Sequence, residues 1–263
     1  MNDALLSALP STKHAPFLVP VGASRSCSDC SMHQICLPTG LNECDTQRLD
    51  KIIARRKVPR DSFLYRIGDR FTSLYAVRIG HFKSYQQNLA GDRQITGFQM
   101  TGELLGIDAI SNDRYQCDVV ALEDSEVCEI PYESLETLFA QMPTLLHHFH
   151  RVLSHEITNE QRVIILLGNM RAEQRFASFL VNLSMSYATR GYSSTRFHLR
   201  MTREDIGNHL GLTIESISRM IAKMRNDGLI QVRQREVDVL NLPALTRLAT
   251  GAETLLSAPV YAQ

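Results

Sequence analysis

The sequence predicts an α+β chain in three parts: an antiparallel barrel or jelly roll, one long helix, and a helix-turn-helix with a β-hairpin wing. Three observations predict it. Short β-rich runs alternate with glycines between residues 60 and 131; residues 143–170 hold no interior proline and repeat apolar residues every three or four positions; and two capped helical segments flank Gly211. At 263 residues and 44% apolar content the chain can bury a core in more than one domain.

Residues 1–26 lack the charged, apolar and small-residue regions of a secretory signal, and no apolar run approaches ~18 residues. A soluble, cytoplasmic protein with a flexible tail over residues 1–26 is expected. In a reducing compartment six cysteines are better suited to metal or redox chemistry than to a disulfide framework. Cys27, Cys30 and Cys36 form a C-x2-C-x5-C array in a serine-rich segment, and three thiolates there lack a fourth local partner. That spacing suits an iron-sulfur cluster completed by a distant cysteine better than zinc, although His33 keeps zinc open. Of the remaining cysteines, Cys117 alternates with Val119 and Ala121 as a core residue would, and Cys44 sits ahead of a helical stretch, which leaves Cys128 as the candidate.

Six runs, at residues 63–65, 74–77, 82–85, 95–98, 119–122 and 126–130, occur in a segment with glycines at 68, 80, 91, 97, 102 and 106. They read as the strands of the roll. Pro143 is well placed as the first residue of the long helix. Its apolar positions Leu146, Phe149, Leu153, Ile157, Ile164 and Leu167 form a seam interrupted by Glu160. The seam suits either a paired helix or packing on the chain's own domain. His147, His148 and His150 on this helix read as solvated or packed side chains rather than ligands.

Residues 171–235 carry 11 Lys or Arg against 5 Asp or Glu, a net of +6, whereas residues 1–170 carry −4. A polyanion feels such a local field more than the net charge of zero. Within the basic segment Thr202 can cap one helix with Asp205 three residues on, Gly211 allows the turn, and Thr213 can cap a second helix ending before Gly228. Ile217, Met220, Ile221 and Met224 fall on one face of the second helix, and Glu215, Ser218, Arg219 and Ala222 on the other. Arg, Ser and a carboxylate are all suited to base edges, so Glu215, Ser218 and Arg219 are the candidate DNA-reading residues. Residues 230–233 and 237–240 then read as the wing.

The stretches Cys27-Ser-Asp-Cys-Ser, Cys36-Leu-Pro, Asp92-Arg-Gln-Ile-Thr-Gly-Phe98, Val127-Cys-Glu-Ile-Pro131 and residues 206–219 together closely resemble the oxygen-responsive branch of the cyclic-AMP receptor protein family, the fumarate and nitrate reduction regulators. The resemblance runs from about Cys27 to Leu242. It implies a cyclic-nucleotide-binding-like β-roll, a dimerisation helix and a winged helix-turn-helix, with domains at residues 27–142, 143–170 and 171–250 and a C-terminal tail at 251–263. It also implies a 4Fe-4S cluster on Cys27, Cys30, Cys36 and Cys128, with Cys44 and Cys117 spare. The expected activity is that of an oxygen-responsive activator or repressor that binds palindromic TTGAT-like DNA as a homodimer under anaerobic conditions. Gly91 and Asp92 are expected to contact RNA polymerase.

The same resemblance argues against a cyclic nucleotide. Nucleotide binders of the family follow their Gly-Glu-Leu stretch, here residues 102–104, with an Arg-Ser or Arg-Thr pair that holds the phosphate, and this chain has Tyr115-Gln116 there with Arg114 one residue out of register. The alternative is a regulator gated by a cyclic nucleotide or another small molecule, with a structural zinc site. No Gly-rich phosphate loop, nucleophile elbow or zinc-protease histidine pair is present, and no membrane partner or enzymatic activity is expected.

Overall fold

The computed structural model describes residues 26–87 and 91–251. The tails expected at residues 1–26 and 251–263 lie outside the described residues except for Ser26 and Gly251.

Eight strands form the roll: β1 (Ala54–Val58), β2 (Phe63–Tyr65), β3 (Ser73–Ile79), β4 (His81–Gln87), β5 (Arg93–Met100), β6 (Leu104–Leu105), β7 (Asp118–Ala121) and β8 (Ser125–Pro131). They lie in two antiparallel sheets of order β1-β8-β3-β6 and β2-β7-β4-β5. Leu74, Phe82, Val119, Ala121, Val127 and Ile130 are all buried in one core. Helix α1 (Glu43–Asp50) precedes the roll, capped by Asn42, whose side chain accepts from the Asp45 N–H. Helix α2 (Tyr132–Gln141) follows it and adds Leu135, Leu138 and Phe139 to this first core.

Helix α3 (Pro143–Asn169) is the long helix, and it ends one residue earlier than expected because Met170 turns extended. That turn starts helix α4 (Ala172–Thr189), whose Phe176, Ala177 and Leu180 centre a second core. Around α4 stand α5 (Arg203–Leu210), α6 (Ile214–Asn226) and α7 (Leu242–Thr250), with a three-stranded sheet of order β10-β11-β9 made of β9 (Arg196–His198), β10 (Ile230–Arg233) and β11 (Glu236–Val239). The second wing strand therefore sits one residue earlier than expected, leaving Leu240 exposed. Periodicity does not predict strands β1, β6 and β9 or helices α2, α4 and α7; β1 carries Arg55, Arg56 and Lys57, and an exposed edge strand need not alternate, while β6 is only two residues long.

Candidate functional site

The cysteine segment folds as successive turns. The Cys30 N–H donates to the Cys27 carbonyl at 3.2 Å, the His33 N–H to the Cys30 carbonyl at 3.0 Å, and the Cys36 N–H to the Met32 carbonyl at 3.0 Å. Thr39 Oγ1 closes the segment by donating to the carbonyls of Cys36 and His33, at 2.6 and 3.1 Å. Met32 and Leu37 are buried and fasten the loop to the roll, while the Cys27 N–H donates to Asp50 Oδ1 of α1 at 3.1 Å. Turns of this kind place three thiols on one side of a short chain, which helix or strand could not do with spacings of three and six.

Cys128 comes from β8, where it stands opposite Arg55 of β1 and Ala76 of β3. Cys27, Cys30, Cys36 and Cys128 all line one pocket, walled by Leu37, Ile53, Ala76, Val77 and Ile130 and also reached by His33 and Arg78. Among the described residues no three His, Cys, Asp or Glu side chains gather closely enough to hold a metal ion, so the four thiols share a pocket without meeting at a point. They nevertheless act on one another. Burial pushes the Cys36 thiol up to about 12, with Cys128 and Cys30 adding to the rise, and pushes Cys128 up to about 11, with Cys30 adding and Arg55 and Arg78 opposing. Cys27 is raised as well, by burial and then by Asp50, Cys128 and Cys36. Four cysteines in an apolar pocket, whose thiolates would repel one another, are a donor set that gains most from a cation shared between them. The donor set therefore fits an iron-sulfur group.

Cys44 is exposed in the first turn of α1. Cys117 is buried inside the roll, its thiol raised by burial and by Asp108 and hydrogen-bonded to Tyr65. Neither lines the pocket of the other four.

The interior of the roll is closed by aromatic rings. Tyr115 stacks on Tyr65 with ring centroids 3.8 Å apart and donates from its hydroxyl to the Ser73 carbonyl at 2.7 Å. Arg114, the residue before it in the segment that leads into β7, is exposed and donates to the Gly68 carbonyl at 2.7 Å. The one-residue offset places a ring inside and the cation outside.

In the helix-turn-helix, Thr202 accepts from the Asp205 N–H and the Asp205 carboxylate accepts from the Thr202 N–H, a capping box for α5. Thr213 caps α6 by accepting from the Ser216 N–H at 3.2 Å. Gly211 takes the left-handed conformation at φ 63°, and a β-carbon on Gly207 would lie 2.7 Å from the Leu212 carbonyl oxygen, so the two helices approach as closely as they do because of these glycines. Ile217, Met220, Ile221 and Met224 of α6 are buried and Glu215 and Arg219 are exposed, as the helical periodicity required. Ser218 is half-buried beneath Arg203, which donates to its hydroxyl at 3.3 Å. The Glu215 carboxyl is held below the usual range by its own main-chain N–H and by Thr213, so it stands ionised as an acceptor. Gly91 and Asp92 are exposed at the end of the β4–β5 hairpin, where Gln87 Nε2 donates to the Gly91 carbonyl at 2.8 Å.

The seam of α3 divides into three. Phe149 is a correction: it is buried in the roll core against Phe139, with ring centroids 4.9 Å apart, and is not free to face another helix. Leu146 and Leu153 also pack on that core, and Leu167 packs on the second one. Ile157 and Ile164 are 57% and 70% exposed, with Glu160 exposed between them. The middle of the helix is therefore an apolar face that no described residue of its own chain covers.

The reading of motifs missed the residues that join the two halves. Asn208 of α5 donates to the Arg93 carbonyl at 2.7 Å and accepts from the Ile95 N–H at 2.6 Å, and Lys83 of β4 donates to Asp205 Oδ1 at 2.6 Å. Arg200 pairs with Glu123 at 3.0 Å. Their separation in sequence hides such pairs, and a polar residue on a helix carries no local sign of its partner.

Residues 55–142 match the cyclic nucleotide-binding domain family and residues 174–248 the Crp-like helix-turn-helix domain family. The chain is 44% identical over 229 residues to the Fumarate and nitrate reduction regulatory protein of Escherichia coli (strain K12), covering 87% of this chain and 92% of that one. It belongs to the family of fumarate and nitrate reduction regulatory proteins. The relative of the same name in Vibrio cholerae is also 44% identical, with the same coverage, and the Anaerobic regulatory protein of Pasteurella multocida is 43% identical over 234 residues, 89% of this chain and 86% of that one. Among solved structures, FixK2 from Bradyrhizobium japonicum superposes with a TM-score of 0.68 at 25% identity, covering 75% of this chain and 97% of that one. The chain is accordingly a transcription regulator with a jelly-roll domain of the cyclic nucleotide-binding family, a long helix and a C-terminal helix-turn-helix, and it is not an enzyme. No described helix of the regulator is long and apolar enough to cross a membrane.

Proposed function

We propose that this regulator responds to oxygen through a 4Fe-4S cluster held by Cys27, Cys30, Cys36 and Cys128, and that it binds TTGAT-like palindromes as a dimer when the cluster is intact. One observation carries the reading: the four cysteines share a pocket across about a hundred residues of sequence, and Cys44 and Cys117 stay out of it. The cluster, when bound, supplies sensitivity to oxygen. The chain supplies the rest. Cys128 ties the cysteine loop to β8, and β8 leads directly into α2 and α3. Ile157, Glu160 and Ile164 offer the face on which two copies of α3 pair, with Leu146, Leu153 and Leu167 at its margins, each also packed on its own domain. Pairing about a twofold axis sets two recognition helices about 34 Å apart, one turn of DNA, so that both enter successive major grooves. Glu215, Ser218 and Arg219 then read base edges, and the exposed Gly91 and Asp92 meet RNA polymerase at activated promoters.

An anaerobic preparation assayed for iron, sulfide and visible absorption, then titrated with a labelled palindrome before and after exposure to air, tests the proposal. Four iron and four sulfide per chain with DNA binding lost in air is the expected result. One zinc per chain without sulfide would instead return the zinc reading that His33, at the pocket edge, keeps open.

A further inference from the structure

The turn of residues 100–103, between β5 and β6, is touched from three directions. From the cysteine loop comes Ile35: a β-carbon on Gly102 would lie 3.0 Å from both Cγ1 and Cδ1 of Ile35, the residue before Cys36. From β3 comes Val77, whose carbonyl accepts from the Gly102 N–H at 2.7 Å and whose N–H donates to the Glu103 carbonyl at 2.9 Å. Ala76, Val77 and Arg78 are wall residues of the cysteine pocket. From the DNA-binding half comes Arg190, at the C-terminus of α4. Its Nε donates to the Thr101 carbonyl at 2.7 Å and its Nη2 to Glu103 Oε1 at 2.5 Å, while Nη1 returns to the Ser186 carbonyl at 2.7 Å. Glu103 is fixed in turn, since Oε2 accepts from the Met100 N–H at 3.0 Å. The Arg190 side chain is only 7% exposed, and its direction is set by three acceptors, the carbonyls of Thr101 and Ser186 and Oε1 of Glu103, whose own side chain is 39% exposed.

We propose that Arg190 is a positioning residue: through its hold on residues 101–103 it seats the DNA-binding half on the sensor according to the state of the cysteine loop, by a path that does not pass through pairing of α3. A loop tied at four thiols presses Ile35 against Gly102, where the approach is close enough that a β-carbon would stand 3.0 Å from the Ile35 side chain. A loop released from the pocket withdraws that contact, and the two acceptors of Arg190 on this turn lose their fixed position. The recognition helix is carried on the same domain as Arg190, so its aim changes with them. The idea rests on the cysteines acting as cluster ligands, but the clamp itself does not.

The test is a double-mutant cycle on the full chain, prepared anaerobically, with Glu103→Gln, Arg190→Met and both together. Dimer fraction is read by analytical ultracentrifugation, DNA affinity by anisotropy on a palindrome, and iron and sulfide chemically. Each single substitution should weaken DNA binding roughly ten-fold, with the double no worse than either, and with dimer fraction, iron and sulfide unchanged. Losses that multiply, or a fall in dimer fraction large enough to account for them, would overturn the assignment. Ile35→Ala, with Ile35→Val as its conservative control, tests the link to the loop. Ile35→Ala that keeps its iron and sulfide should speed amide hydrogen exchange at residues 101–103 and weaken DNA binding, as exposure of the parent to air should; unchanged exchange in both sinks the path. A protein without iron and sulfide would remove the cluster reading, and the cycle at Glu103 and Arg190 would still decide the clamp.

Discussion

Cys117 and Cys128 lie on strands of the same roll, and their surroundings decide their roles. Cys117 is surrounded by Tyr65, Asp108 and core side chains, whereas Cys128 shares its field with Cys27, Cys30 and Cys36. Because a cubane needs four thiolates, Cys128→Ser should abolish stoichiometric iron and sulfide while Cys117→Ser retains them; the reverse result would reassign the fourth ligand. On the recognition helix Arg219 is exposed and donates to Ser216 Oγ at 3.2 Å. Arg219→Ala should cost roughly 1 to 3 kcal/mol on a cognate palindrome and relax preference at one position of each half-site, with iron content unchanged. Equal losses on cognate and scrambled DNA would make it a phosphate contact.

Helix α3 behaves as a strut whose two ends are buried and whose middle is bare. Phe149→Ala removes a ring from the roll core and should destabilise the protein by about 3 to 5 kcal/mol in denaturant titration. Ile164→Glu changes a side chain that its own chain leaves 70% exposed, so it should move unfolding by less than about 0.5 kcal/mol yet lower the dimer fraction. Glu160 stands between Ile157 and Ile164, and two such charges meeting about a twofold axis oppose association. Glu160→Ala should therefore raise the dimer fraction and DNA binding of the cluster-free protein in air, and a variant as monomeric as its parent by ultracentrifugation would show that Glu160 stays at the solvated margin. The seam was legible as a period of three and four. Which part of it faces the roll, the DNA-binding half or neither was not, since a repeat marks an apolar face and says nothing of what covers it.

Across the whole molecule the two halves are joined by polar contacts over a thin apolar layer, where Phe98 meets Phe179 and His209. Asn208 satisfies two main-chain groups of β5, and Asn208→Leu would strand both. The expected cost is about 1 to 3 kcal/mol, read as a lowered Tm, with a Tm equal to that of the parent counting against a fixed seat. Burial alone would raise the Asp205 carboxyl, but hydrogen bonds from Lys83 and Thr202 hold it below the usual carboxylate range. Its contribution is thus present above the ordinary value near ~3.9 and lost as pH falls through the lowered one, which places the loosening of this seat in acid rather than near neutrality.

The sequence by itself determined the helix-turn-helix, the roll's strand pattern and the three clustered cysteines, because caps, turn glycines, period-2 runs and close ligand spacing are local: Thr202 and Asp205, or Cys27 and Cys30, meet within a few residues whatever the rest of the chain does. Elimination pointed to Cys128, but only tertiary structure brought it to the pocket of the other three, and tertiary structure alone decided that Tyr115 fills the roll, that Phe149 belongs to its own core and that Arg190 grips residues 101–103. Each of those depends on segments far apart in the chain, brought together by burial of two cores, and burial selects partners by shape and reach that no short stretch of sequence encodes.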